Sequence, residues 1–344
     1  MTPFAISPER AGRGRRPAAI GSTVIAALAL ALAGCGGDAG SSVDTPAATS
    51  AGTASSETTA RPARARRPAL CARLRASVTG RVSAPAATEL SGLVLSRSRR
   101  GVLWTHNDSG DRPRLLAIAT DGRLLADVTL GGAEAVDWED VTAGRGTVFA
   151  GDIGDNLAQR ASIVVYRLAE PRVAGAAVTS EPRVGEAAPT ITVAAARIEL
   201  RYPDGPRDAE ALLRDPTSGA LVVVEKNYAG RAGVYVAAAP RAGAAVTMRR
   251  SGRLELGPGE AVTAGDVSPD GRTIALRSYD RVFVWTRRAG ESVAAALRRA
   301  PCTAGAELLA EGQAEALALS PRGNAFYTVP EGPRPPIRRY APLG

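Results

Sequence analysis

Beyond residue 70 the chain alternates short apolar runs with Gly, Pro and Asp turns, and no long stretch shows helical periodicity. Such runs, bounded by turn signals, predict many short strands. Five segments share one pattern: ELSGLVLSRSRRGVLWTHND, DWEDVTAGRGTVFAGDIGD, DAEALLRDPTSGALVVVEKN, AVTAGDVSPDGRTIALRSYD and QAEALALSPRGNAFYTVPEG. Each reads as a polar pair, a short strand, a turn, and a second apolar strand ending in polar residues. SPDG and DPTSG carry the Asp, Pro and Gly that tight turns require. Further strands follow most units: RLLAIAT and RLLADVTL, SIVVYRL and ITVAAARIEL, GVYVAAA and TMRRSGRLEL, then RVFVWTR and AGAELLA. Four strands per unit, repeated around an axis, predict an all-β fold, a β-propeller. Five blades are visible, and a six-bladed ring would need one further repeat. Equivalent positions Ser91, Glu139, Glu210, Thr263 and Glu315 are spaced by 48, 71, 53 and 52 residues. The long interval holds an Ala/Pro-rich insertion near residues 172–190. The fifth unit lacks an outer strand after RRYAP, and the N-terminal CARLRASVTGRV is expected to supply it and close the ring.

The first 69 residues have a different pattern. Arg10, Arg13, Arg15 and Arg16 precede an apolar run, 18–33, that is short for a membrane span. The run ends in Leu-Ala-Gly-Cys, residues 32–35, which resembles the bacterial lipobox. That resemblance implies a lipoprotein signal peptide over 1–34 and a lipidated Cys35 at the mature N-terminus. A plain secretory signal or a transmembrane anchor is the alternative. Residues 35–69 are dominated by Ser, Thr, Ala and Gly, end in the basic RPARARRPA, and read as a flexible linker. The domains expected are therefore 1–34, 35–69 and 70–344. The protein is expected to be exported and lipid-anchored at the outer face of the cytoplasmic membrane.

Charge changes this picture little. The formal net charge is +9, but eight arginines and four acids fall in residues 1–70, leaving 35 basic and 30 acidic residues for the rest. The arginines are scattered, without a basic stripe or interleaved aromatics, which argues against nucleic acid as a partner. One histidine cannot build a zinc constellation, GxSxG is absent, and no phosphate-binding glycine loop opens a helix. Trp104, Trp138 and Trp285 fit core packing. Three cysteines are present. With Cys35 taken by lipid, Cys71 and Cys302 remain, on strands expected to neighbour each other at the seam of the ring. Export favours a disulfide there, and two buried thiols are the alternative.

The candidate chemistry lies where the inner strands begin. Alternate residues of a strand point the same way. One ring of positions reads Glu89, Asp137, Asp208, Ala261 and Gln313, and the next reads Ser91, Glu139, Glu210, Thr263 and Glu315. The second strands return to this face and end in His106-Asn107-Asp108, Asp152 with Asp155-Asn156, Glu225-Lys226-Asn227, Tyr279-Asp280 and Pro330-Glu331. Up to six acids around one funnel repel each other and raise each other's pKa unless a positive group enters. Lys226, Arg277 and His106 are the internal candidates. A hard cation, Ca²⁺ or Mg²⁺, held by carboxylate, amide and backbone oxygens is the external one. The competing reading is structural, with acids that cap strand ends.

The strings ELSGLVLS, HNDSG, DWED, GDIGDN, YPDGPRDAEALL, SPDGR and EGQAEALALSPRG resemble those of secreted actinobacterial β-propeller lipoproteins of unassigned function, over residues 80–335. Those are in turn similar to TolB-type, gluconolactonase-type and esterase-like or phytase-like propellers, a likeness of architecture. The gluconolactonase family holds its metal with a Glu, two Asn and an Asp, which implies Glu89 or Glu139 with Asn107 and Asn156 as an equivalent set. The later motifs of that family are not found here. The reading favours an envelope-anchored module that binds a small molecule or an envelope protein at its acidic face. A cation-dependent hydrolase of a lactone, ester or phosphate ester, and a scaffold of the TolB kind, are the alternatives.

Overall fold

A computed structural model describes residues 68–173, 188–306, 308 and 311–343. The expected signal peptide, Cys35 and the linker as far as residue 67 lie outside the described residues, as does most of the Ala/Pro-rich insertion. The chain enters through a short turn, Ala69–Cys71, and β1 (Leu74–Arg81). The first blade holds β2 (Leu90–Leu95), β3 (Val102–Asn107), β4 (Arg114–Ala119) and β5 (Leu124–Gly131). The second begins with β6 (Trp138–Gly144), β7 (Thr147–Asp152) and β8 (Ile163–Ala169); β9 (Thr190–Ala194) and β10 (Ala196–Arg201) follow. Next come β11 (Ala209–Arg214), β12 (Leu221–Glu225), β13 (Gly233–Ala237), β14 (Ala245–Thr247) and β15 (Arg249–Arg253). The fourth blade has β16 (Ala264–Val267), β17 (Thr273–Arg277), β18 (Val282–Thr286) and β19 (Cys302–Thr303), and the fifth has β20 (Ala318–Leu319), β21 (Phe326–Thr328) and β22 (Pro336–Pro342).

These strands form five sheets, so the propeller has five blades. The ring closes as the sequence predicts. β1 pairs antiparallel with β22 from Leu74 opposite Pro342 to Arg81 opposite Pro336, as the outermost strand of the fifth blade. Cys71, just ahead of β1, and Cys302 of β19 form a disulfide that ties the closing strand to the fourth blade, with Cα atoms 6.0 Å apart.

Three outer strands differ from expectation. ITVAAARIEL is not one strand. Its first half, β9, pairs in parallel with β5 on the edge of the first blade, while β10 pairs with β8 in the second. The residues ahead of TMRRSGRLEL behave likewise: β14 pairs in parallel with β10, and β15 completes the third blade. The cause is geometric, because a connection to a new outer strand passes the edge of the preceding blade and satisfies that edge's free backbone groups. The outer strand of the fourth blade is β19, just ahead of AGAELLA, of which residues 307, 309 and 310 lie outside the described residues.

The continuous apolar runs of the inner strands follow from this architecture. Each blade is covered on both faces, so five buried clusters lie between neighbouring blades rather than one central core. In β7, Val148 and Ala150 face the first blade, and Phe149 between them faces the third. In β12, Leu221 and Val223 face the second blade, and Val222 and Val224 the fourth. Each Val, Leu or Phe side chain so removed from water contributes about 1.5–3 kcal/mol. Trp104, Trp138 and Trp285 are all buried, and their indole N–H groups donate to Glu170 Oε1 (3.0 Å), Glu134 O (2.9 Å) and Arg299 O (2.7 Å).

Candidate functional site

Two inner strands carry a β-bulge where the polar ring begins. The register of β6 against β7 skips Glu139, and that of β11 against β12 skips Glu210. A bulge residue has no partner opposite it and is turned out of the pleat, which aims both glutamates into the channel. In the first blade the skipped residue is Gly92, not Ser91. A Cβ on Gly92, at φ +64°, would lie 2.7 Å from His106 Nε2 and 2.8 Å from Asp140 Cα, so only glycine lets the first two blades approach here. Ser91 instead donates to Glu139 O (2.7 Å) and forms a bridge with Glu315, tying the inner strands together.

The result is a cavity of about 430 Å³ at the channel mouth. Glu89, Asp108, Glu139, Asn156, Glu210 and Glu315 line it together with Ser109, Lys226, Tyr228, Tyr279, Gln313 and Glu331. Carboxylate oxygens of Glu139, Glu210 and Glu315 all lie within 4.8 Å of one another, and those of Asp108, Asp137 and Glu139 do the same. Gly154 of GDIGDN makes room for this, since a Cβ there would fall 2.6 Å from Asp137 Cγ. Lys226 Nζ bonds Glu210 Oε1 and lies 3.9 Å from Glu315 Oε1. Tyr279 OH donates to Glu315 Oε1 (3.1 Å). Glu210 Oε2 is buried and has no hydrogen-bond partner.

Burial and like-charge crowding set the electrostatics. Loss of water, then Glu210 and its other acidic neighbours, pushes Glu139 up to about 11. Burial and Glu315 raise Glu210, and its pairing with Lys226 offsets only part of that. Glu315 is raised mainly by burial. Burial, Asp108 and Asp208 lift Asp137 to about 6, while burial, Glu315 and Asp108 lift Glu331 to about 7. Without a further cation, the mouth therefore holds protons that it would lose in water.

Several of the predicted site residues do other work. His106 is not on the rim. It is buried, meets Trp138 edge-on (5.6 Å between ring centres), and has Nδ1 2.8 Å from Asn107 O. Burial lowers its pKa, so it adds no positive charge to the mouth. Asn107 is saturated: Oδ1 accepts from Thr88 and Glu89 N–H, and Nδ2 donates to Ala86 O and Asp111 Oδ2. Asp155 caps a turn by accepting from Gln159 N (2.9 Å) and Arg160 N (2.8 Å). Asp208 accepts from Asp155 N (2.9 Å), and Asp152 accepts from Asp137 N (3.1 Å) and pairs with Arg160 (2.8 Å). The capping reading thus describes Asn107, Asp152, Asp155 and Asp208. Arg277 is also diverted, being fully buried and bonded to Glu311.

The sequence reading missed two groups. Tyr228, 61% exposed, stands at the mouth beside Tyr279, and the Lys226 ammonium lies 6.0 and 5.8 Å from the two ring centres. Asp140 and Asp266 sit inside the channel wall. Asp140 accepts from Val141 N (2.8 Å), Leu212 N (2.8 Å) and Gly265 N (3.4 Å), and Asp266 from Val267 N (2.7 Å) and Leu319 N (2.8 Å). Each ties inner strands of different blades together. Their signal was visible: a lone carboxylate inside an apolar inner strand, as in DWEDV and AGDVS.

No protein-family model matches the chain, and no curated protein matches it. Among solved structures it is similar to a gluconolactonase from Xanthomonas campestris, at 14% identity and a TM-score of 0.45 over 80% of this chain and 93% of that one. It is also similar to the PQQ-bound aldose sugar dehydrogenase from Streptomyces coelicolor, at 12% identity and a TM-score of 0.42 over 78% and 98%. At this distance no residue role passes from either to this chain.

Proposed function

We propose that the channel mouth binds a hard divalent cation, Ca²⁺ or Mg²⁺, and that the loaded mouth receives a ligand on the propeller face. The observation that carries this reading is the trio Glu139, Glu210 and Glu315, with oxygens within 4.8 Å of one another and Glu210 Oε2 buried without a partner. An all-oxygen donor set of this kind suits both ions. A cation there would replace protons, relieve the crowding and satisfy the unpaired oxygen.

The test is a set of thermal melts with and without these ions across pH. Acids with folded pKa values above their unfolded ones stabilise the fold at low pH and lose that contribution as pH rises through the folded value. In chelator-containing buffer the melting temperature is therefore expected to fall from pH 7 to 9, as Glu331 and the raised glutamates ionise. His106, with its lowered pKa, acts in the opposite sense only below its unfolded value of 6.5. Added Ca²⁺ or Mg²⁺ is expected to reverse the fall. Saturation at a hundred times Kd corresponds to about 2.7 kcal/mol, and the gain should grow with pH as protons cease to compete. The double variant Glu139→Gln with Glu210→Gln should remain folded and lose the gain. No bound metal by elemental analysis, together with no rise in melting temperature at millimolar Ca²⁺ or Mg²⁺, would exclude the cation reading.

A second reading, cation-dependent hydrolysis of a lactone, ester or phosphate ester, draws on Glu331. A half-buried carboxyl lifted to about 7 at the edge of the same cavity has the basicity of a general base at neutral pH. Cation-stimulated turnover of a model ester or lactone that Glu331→Gln removes would favour this reading over binding alone.

The lipid anchor belongs to the same proposal, since an envelope-held propeller would display its mouth outside the cell. Cys35→Ala should release the protein from the membrane fraction and abolish incorporation of labelled fatty acid. Retention of both would refute the anchor.

A further inference from the structure

The inner strands run away from the mouth, and the loops that follow them build the other end of the channel. Arg97, in the loop after β2, reaches across to the fourth blade. Its Nη2 lies 2.6 Å from Asp266 Oδ1 and 2.7 Å from Val267 O. Its side chain is 8% exposed, and the second terminal nitrogen, Nη1, is buried without a hydrogen-bond partner. Beside it lies a cavity of about 290 Å³, lined by Arg97, Arg145, Arg214, Ser268 and Pro269 among others, and by no acidic residue.

Two of these arginines have no counter-charge of their own. Arg214 is half-buried, and its Nε is buried without a partner. No described residue forms an ion pair with it. The adjacent Asp215 is engaged by Arg287 at 2.8 Å, and Arg167 adds to the positive potential. The Arg214 guanidinium is nonetheless held in place. It lies over the Phe149 ring, 5.7 Å from its centre, and against Gly144, where a Cβ would fall 3.1 Å from its Cζ. Arg145 is exposed, and no ion pair to it occurs among the described residues. Three guanidinium groups thus line one cavity with a single carboxylate, Asp266, bound to one of them. An unpaired and oriented guanidinium is a fork for an oxyanion, which it can meet with two parallel N–H donors.

We propose that this cavity is an oxyanion site that takes the phosphate or carboxylate group of a small soluble ligand. The site is built on residues that the cation reading of the mouth does not use. Arg214 supplies the fixed fork, Arg145 closes over the anion from the rim, and Arg97, paired with Asp266, offers its unpartnered Nη1 as a further donor.

The test is isothermal titration of the full chain at low ionic strength with inorganic phosphate and, separately, with acetate. Saturable one-to-one binding of at least one anion is expected, and the preferred anion assigns the ligand's acidic group. Hydrogen bonds to charged groups predict about a tenfold loss for Arg145→Gln or Arg214→Gln alone and at least thirtyfold for both together. Arg75→Gln, an exposed arginine on β1, should bind as the unaltered protein does. The double variant should melt no lower than the parent, because it removes like charges that face each other. If it fails to fold, Arg214→Lys, which keeps the charge and loses the fork, should still weaken binding about tenfold. Absence of saturable binding for both anions, or an equal loss in Arg75→Gln, would overturn the proposal.

Discussion

Truncation of Glu311 to alanine is expected to destabilise the propeller by about 3–5 kcal/mol, the usual cost of stranding one partner of a buried ion pair. Arg277 is 0% exposed and Glu311 4%. Arg277 Nη1 donates to Glu311 Oε2 (3.2 Å) and Ala316 O (3.0 Å), while Glu311 Oε1 accepts from Thr328 Oγ1 (2.6 Å) and Tyr340 OH (2.9 Å). The alanine variant would leave a charged guanidinium and two hydroxyls buried without their acceptor, at the junction of the fourth and fifth blades. Arg277→Met should cost a similar amount. The double variant Arg277→Met with Glu311→Ala should cost less than the sum, because no charge is then stranded. Urea midpoints of the three variants measure this. Single losses below about 1 kcal/mol, or strict additivity, would show that the pair does not hold the seam.

Removal of the disulfide should have an effect of the same order. Cys71 and Cys302 are separated by 231 residues, and closing so long a loop in the unfolded chain corresponds to about 5 kcal/mol in the chain-entropy model. Measured values commonly fall short of that figure, so the double variant Cys71→Ala with Cys302→Ala should lose about 3–5 kcal/mol in urea. Alkylation of the native protein without reductant should modify neither cysteine. Two alkylated cysteines, or a loss below about 1 kcal/mol, would contradict this role.

How much of the molecule could be read in advance depended on the range of the interaction. Strand runs and turns are local, so the five repeats, the closing strand and the Cys71–Cys302 pairing were legible. The acids Glu139, Glu210 and Glu315 were legible as a ring because each stands at the same place in its repeat. Whatever depends on the approach of one blade to the next was not. His106 looked like a rim residue because Asn107 and Asp108 follow it, yet it packs, buried, against Trp138 and Gly92. Asn107 and Asp155 carry the residue types of a metal ligand set, and only their backbone partners reveal caps. Arg97 reaching Asp266 spans 169 residues, and no spacing pattern encodes such a pair. The parallel strands β9 and β14 were hidden for the same reason, since a connecting segment pairs with whichever edge it happens to pass.

The pairing of β1 with β22 also constrains how the molecule comes into being. A ribosome makes the first of these strands long before the second, since Arg81 and Pro336 pair across most of the domain's sequence. Partners so far apart in sequence are slow to meet, because loop closure precedes any gain from their contacts. At about 5–20 residues per second, the stretch between Arg81 and Pro336 takes roughly 10–50 s to synthesise. Throughout that interval the nascent chain carries β1 as an open edge with no fifth blade to join. Arg75 and Arg81, charged and exposed on that strand, make it a poor template for other chains. Completion of the ring has to wait for β22, and the waiting first strand is where a holding chaperone would act.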